Sequence, residues 1–108
     1  MRRTEIAALA AASEHAAQLA DLFRLLGDGS RLRIVIACLD MPVSVGELAN
    51  QLDLSPSLVS HHLRLLRAAR IVKSERKGKQ VFYSAADDHI RCVIADMFEH
   101  ISEPDEED

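Results

Sequence analysis

Apolar residues recur with a helical period in five stretches of the chain, and in one place the pattern becomes strand-like instead. Leu19, Leu22, Phe23 and Leu26 stand at i, i+3, i+4 and i+7, which predicts an amphipathic helix from about residue 5 to 26. Gly27-Asp28-Gly29-Ser30 interrupts it, and Asp28 or Ser30 offers a side-chain oxygen to cap the next helix. There Leu32, Val35, Ile36 and Leu39 repeat the spacing until Met41-Pro42 ends it. Ser44 and Glu47 form an S-x-x-E capping box ahead of Val45, Leu48, Ala49 and Leu52. After a short turn at Asp53-Leu54, Ser55-Pro56 sets a capping hydroxyl and a first-turn proline before another helix. That helix runs to about Ala69 and buries Val59, Leu63 and Leu66.

Then the period changes. IVKSER and QVFYS are short β-prone stretches joined by Lys77-Gly78-Lys79, a hairpin with a basic tip. The last helix begins near Asp87 and ends before Pro104, with Ile90, Val93, Ile94, Met97 and Ile101 as its apolar stripe. Two short helices across a tight turn, followed by a basic hairpin, make a winged helix-turn-helix. The expected fold is therefore mainly α with a small β-hairpin wing. At 108 residues the chain reads as one domain, 1–103, with 104–108 as a disordered acidic tail.

Composition narrows the classes. No apolar run approaches the roughly 18 to 20 residues that a membrane helix needs. Glu5, Glu14 and His15 break up the N-terminal alanines, so no signal peptide is expected and a cytoplasmic protein is. Cys38 and Cys92 are far apart and form no C-x-x-C; both are expected to be small buried hydrophobes in a reducing compartment. There is no Gly-rich phosphate loop or nucleophile constellation, so an enzyme is not expected.

Charge changes the picture more. The net charge of −4 conceals a segregation. His61 to Gln80 holds seven Lys/Arg against Glu75 alone, whereas Ala85 to Asp108 holds nine acids against Arg91 alone. Two surfaces with different partners follow. On the second helix of the pair, Ser55, Ser57, Ser60, His61 and Arg64 can reach base edges and phosphates in a major groove. Arg76, Lys77, Lys79 and Gln80 at the hairpin tip can lie along an adjacent backbone or minor groove. Double-stranded DNA is the expected partner. A merely solvated basic face is the plain alternative, and its place in a helix-turn-helix-hairpin order weighs against it.

LSPSLVSHHLRLLRAARIVKSERKGKQVFYS resembles the DNA-binding core of the ArsR/SmtB family of metal-sensing bacterial repressors. The L-S-x-S-x-V-S-H-H run, the R/K-x-G-x-x-x-x-Y hairpin and the L-G-D-x-x-R-L-x-I start at Leu26 carry the likeness, which spans residues 13 to 103. The resemblance implies a homodimer paired through its terminal helices, with two recognition helices reading an inverted-repeat operator.

The last helix adds metal chemistry. Asp87, His89, His100 and Glu103 are either solvated polar residues or two halves of something. His89 and His100 are eleven residues apart, an axial rise of about 16 Å that no single ion spans. Yet eleven steps of about 100° return to the same face. In an antiparallel pair of such helices, residues meet when their numbers have a constant sum. His89 with His100 and Asp87 with Glu103 satisfy nearly the same register. Each end of the pair then offers two imidazoles and two carboxylates, suited to a closed four-coordinate Zn(II) site and also admitting Co(II) or Ni(II). Glu103 precedes Pro104, which turns its backbone away from helical geometry.

D-x-H-x10-H-x2-E is similar to the ligand set of the family's zinc-sensing branch. That likeness implies Asp87, His89, His100 and Glu103 as ligands, apo-form repression, and release of DNA on metal binding. It further implies coupling through His100, whose second ring nitrogen donates to the backbone carbonyl near Arg70. Where thiolate-sensing members carry cysteines, this chain has VSVGELA, so arsenite, lead or cadmium sensing is disfavoured. A redox- or organic-ligand-responsive regulator and a purely structural zinc remain as alternatives.

Overall fold

The computed structural model describes residues 2–105. Five helices and three strands follow one another: α1 Arg3–Leu26, α2 Gly29–Ala37, β1 Val43–Ser44, α3 Val45–Leu52, α4 Pro56–Ala68, β2 Val72–Lys77, β3 Gln80–Ala85 and α5 Asp88–Ser102. The five helices and the hairpin are those the periodicities predict, in the winged helix-turn-helix order. Residues 106–108 of the expected acidic tail lie outside the described residues.

Local chemistry sets the boundaries. Asp28, rather than Ser30, caps α2, its Oδ1 accepting the Arg31 N–H at 3.0 Å. That bond holds the Asp28 carboxyl below its ordinary value, against the opposing effect of partial desolvation. At α3 the Ser44 hydroxyl accepts the Glu47 N–H at 3.3 Å and donates to Glu47 Oε1 at 3.0 Å. Asp53 ends α3 in the left-handed region with φ 55°, making the tight turn to α4. Ser55 Oγ accepts the Leu58 N–H at 3.1 Å, with Pro56 in the first turn.

Two expectations are corrected here. α2 ends at Ala37, not at Met41-Pro42, because the chain turns at Cys38. It then enters β1, a two-residue strand with no periodicity to announce it. β1 pairs antiparallel with β3, Val43 opposite Tyr83 and Ser44 opposite Phe82, so the wing is a three-stranded sheet in the order β1-β3-β2.

The core is built from α2, α3, α4 and the inner sheet face. Ile34, Val35, Cys38, Leu48, Val59, Leu63, Leu66, Ile71 and Val72 are all sealed from solvent. α5 joins it chiefly through Ile94, with Ile90 partly buried. A tether adds to this: Arg91 Nε donates to the Leu39 carbonyl at 3.2 Å, and its guanidinium pairs with Asp88 and Asp40. α1 buries no residue fully. No helix among the described residues is long and apolar enough to cross a membrane.

Candidate nucleic-acid interface and metal-binding face

α4 carries its polar residues where the core leaves room. Val59, His62, Leu63 and Leu66 are buried, so Ser57, Ser60, His61 and Arg64 are forced outward by the helical period. The adjacent histidines therefore divide. His61 faces solvent among the DNA-reading candidates, and His62 is buried at 6% exposure. His62 is a polar residue in a core position, legible in the sequence as i+3 from Val59. Its Nδ1 has no hydrogen-bond partner. Burial lowers its pKa from the ordinary imidazole value, with Arg31 and His61 acting in the same sense and Asp28 against them.

The wing tip is equally open. β2 and β3 pair in register from Val72 opposite Ala85 to Lys77 opposite Gln80, which leaves Gly78-Lys79 as a two-residue loop. Gly78 takes φ +66°, the positive value that the first position of such a hairpin requires. Arg76, Lys77, Lys79 and Gln80 are all exposed around it. Helix and wing thus both present exposed basic side chains.

The four metal-ligand candidates are all exposed, at the two ends of α5. Asp87 is the N-cap residue, with Oδ1 accepting the Ile90 N–H at 3.0 Å, so Oδ2 is the oxygen left for a ligand. Asp88 pairs instead with Arg91. Glu103 is the C-cap, with ψ 137°, the extended geometry that Pro104 demands. Among the described residues no three His, Cys, Asp or Glu side chains of one chain cluster closely enough to hold a metal ion. His89 and Arg70 line a common open cavity of about 610 Å3, together with Arg67, Lys73 and Asp87. His100 is not among its lining residues.

Arg70 occupies the left-handed region at φ 60°. It closes α4 as a Schellman turn: its N–H donates to the Arg67 carbonyl at 3.0 Å, and the Ile71 N–H donates to the Leu66 carbonyl at 2.9 Å. Cys38 is buried, and desolvation raises its thiol to about 11. Cys92, expected to be buried as well, is exposed on α5, because the stripe that Ile94 turns inward leaves position 92 facing outward.

Residues 28–74, from the cap of α2 into β2, match the family described as "Bacterial regulatory protein, arsR family". A transcriptional repressor SmtB homolog from Synechocystis is 40% identical over 92 residues, covering 85% of this chain and 70% of that protein. The chain belongs to the ArsR family. A cadmium resistance regulatory protein CadC homolog from Staphylococcus aureus is 33% identical over 90 residues, covering 82% of this chain and 74% of its own. The homodimeric winged helix-turn-helix DNA-binding domain of Mb0332 from Mycobacterium bovis superposes with a TM-score of 0.78. It does so at 21% identity over 87% of both chains, a likeness of fold. This ArsR-family protein thus has the architecture of DNA-binding transcriptional regulators.

Proposed function

We propose that this ArsR-family protein is a homodimeric, metal-responsive repressor. Its metal-free form holds inverted-repeat operator DNA, and Zn(II) bound between the terminal helices of two subunits releases it. The observation that carries this reading is the division of the ligand candidates. Asp87 with His89, and His100 with Glu103, sit at opposite ends of one exposed helix that is too long for a single ion to bridge. A second copy laid antiparallel completes both ends.

Exposure supports the pairing. Val93 (46% exposed), Met97 (52%) and Ile101 (76%) continue the stripe that Ile90 and Ile94 begin, and Phe23 on α1 is 54% exposed beside them. Leu19, Leu22, Phe23, Val93 and Ile94 line a largely apolar groove between α1 and α5, and His89 lines it with them. A second α5 would cover this stripe as it brings the ligand pairs together.

Within the site, each subunit supplies one imidazole and one carboxylate to each end. Asp87 ligates through Oδ2 while Oδ1 keeps α5 capped. Bound there, the cation cross-links the two helices and selects one of their relative orientations. Control of efflux or sequestration genes fits a repressor of this kind. The family resemblance implies a coupling route from His100 to the backbone carbonyl near Arg70, and the cavity that Arg70 shares with His89 supports it. In the antiparallel register the partner subunit's His100 comes to the His89 end, so its donor nitrogen meets the Arg70 carbonyl across the interface. Arg70 closes α4, so a change there bears on the end of the recognition helix.

Nitrogen and oxygen donors suit Zn(II), Co(II) or Ni(II). The buried, high-pKa Cys38 offers no thiolate for softer ions.

The test is complementation. His89→Ala and His100→Ala each remove one imidazole from both sites of a homodimer, and each should lose tight zinc binding. Mixed and exchanged, they form heterodimers in which one end is intact and the other has lost both imidazoles. Equilibrium dialysis should recover one tightly held zinc per mixed dimer. No recovery on verified exchange would exclude shared sites. Operator affinity of the wild type unchanged by zinc, cobalt and nickel would remove the sensor reading while leaving DNA binding intact.

A further inference from the structure

α4 and the wing flank a second cavity, which shares Arg67 with the cavity that Asp87 and His89 line. Ser60, Arg64 and Arg67 rise along one side of α4 at i, i+4 and i+7, and Tyr83 of β3 faces them across a cleft of about 480 Å3. Leu63 and Ala68 complete its lining, and no carboxylate contributes. Sheet register explains why Tyr83 points this way. It lies opposite Ser74 and shares a sheet face with the buried Val72 and Ala85, which pack toward the helices. Glu75, the one acid of the basic segment, alternates to the other face, opposite Phe82. Neither Arg64 nor Arg67 takes part in an ion pair among the described residues. Arg64, Arg67 and Tyr83 therefore line one cleft to which no carboxylate contributes.

Guanidiniums present paired donors that match phosphate oxygens, and a tyrosine hydroxyl adds a neutral donor. The cleft opens between the recognition helix and the wing. A DNA backbone strand must pass there when the helix enters the major groove and the wing lies over the neighbouring minor groove. We propose that this cleft seats one DNA-backbone phosphate, gripped by Arg64 and Arg67 from α4 and by the Tyr83 hydroxyl from β3. Arg67 and Tyr83 thereby join the DNA interface, and the phosphate locks the wing to the recognition helix. The inference rests on the DNA-binding reading and is independent of the metal.

Fluorescence anisotropy with a labelled random-sequence duplex, titrated from 50 to 200 mM salt, tests it. Each phosphate neutralised contributes about 0.9 to the log–log salt slope. Arg67→Gln strips one cation from each of the two clefts of the homodimer, so it should bind more weakly and reduce the slope by about 1.8, with Arg67→Lys restoring most of it. Tyr83→Phe should weaken binding on the order of tenfold at low salt with the slope unchanged, since it removes a neutral donor to a charged group. Arg24→Ala, on α1 and paired with Asp21, should change neither. If Arg67 serves the C-terminal helix dipole alone, Arg67→Gln lowers the melting temperature and leaves the slope intact, and the proposal is overturned. Wild-type affinity in Tyr83→Phe overturns its hydroxyl's part. A wild type that fails to bind the duplex instead refutes the DNA-binding reading itself.

Discussion

At the scale of single residues, the physical chemistry of His62 leads to a measurable consequence. Burial disfavours its imidazolium, so the unfolded chain takes up the proton first as pH falls. Its contribution is therefore intact above the ordinary imidazole value of about 6.5 and is lost as pH drops through that value towards the lower folded one. Urea midpoints at pH 7.5 and pH 5 should show that loss in the wild type, and His62→Gln should shrink the difference. Asp28 acts in a separate window. Its lowered carboxyl stabilises above about pH 4 and ceases to do so below. Ser44 offers a pH-independent comparison. Ser44→Ala removes the cap of α3, and chemical denaturation should register a cost of about 1 kcal/mol. The spacing Val59, His62, Leu63, Leu66 already marks His62 as a core position. Its orphaned Nδ1, by contrast, depends on what α2 brings beside it.

At the scale of elements, helix starts and the wing turn follow from local chemistry, because N-capping and turn formation are settled within a few residues. Asp28, Ser44, Ser55 and Asp87 all cap the helices they precede. Gly78 illustrates a position where backbone alone decides. A Cβ there would meet nothing within 4 Å, yet φ is +66°. Gly78→Ala should cost about 1 kcal/mol through left-handed strain, measurable as a lowered urea midpoint. Arg70 is the converse case, a non-glycine residue at the left-handed position of a Schellman turn. Arg70→Gly should stabilise the fold by roughly 0.5 to 1 kcal/mol, since it relieves that strain without touching either turn hydrogen bond. β1 was not legible. Two residues carry no period, and Val43–Ser44 is a strand only because β3 presents Tyr83 and Phe82 beside it.

At the scale of the whole molecule, the chain is more extended than its length requires. Its radius of gyration is 17.1 Å, against about 13 Å for a compact chain of 100 residues. α1 and α5 account for this, two amphipathic helices whose apolar residues stay largely open in one chain. Introducing a charge into that surface, as in Met97→Asp, should shift the protein to monomer in sedimentation while leaving its helical signal intact. Zinc binding should fall with it, because in the proposed arrangement each end of α5 supplies half a site. The amino-acid sequence by itself determined the five helices, the basic hairpin, the two oppositely charged segments and the spacing of four candidate ligands along one helix. These are properties of period, capping and charge order, and they need no partner element to exist. Tertiary structure alone decided that Tyr83 faces Arg64 and Arg67 across a cleft, and that Arg70 shares a cavity with His89 rather than His100. Each of those facts is a distance between segments far apart in the chain, and such distances exist only once the sheet and helices have packed.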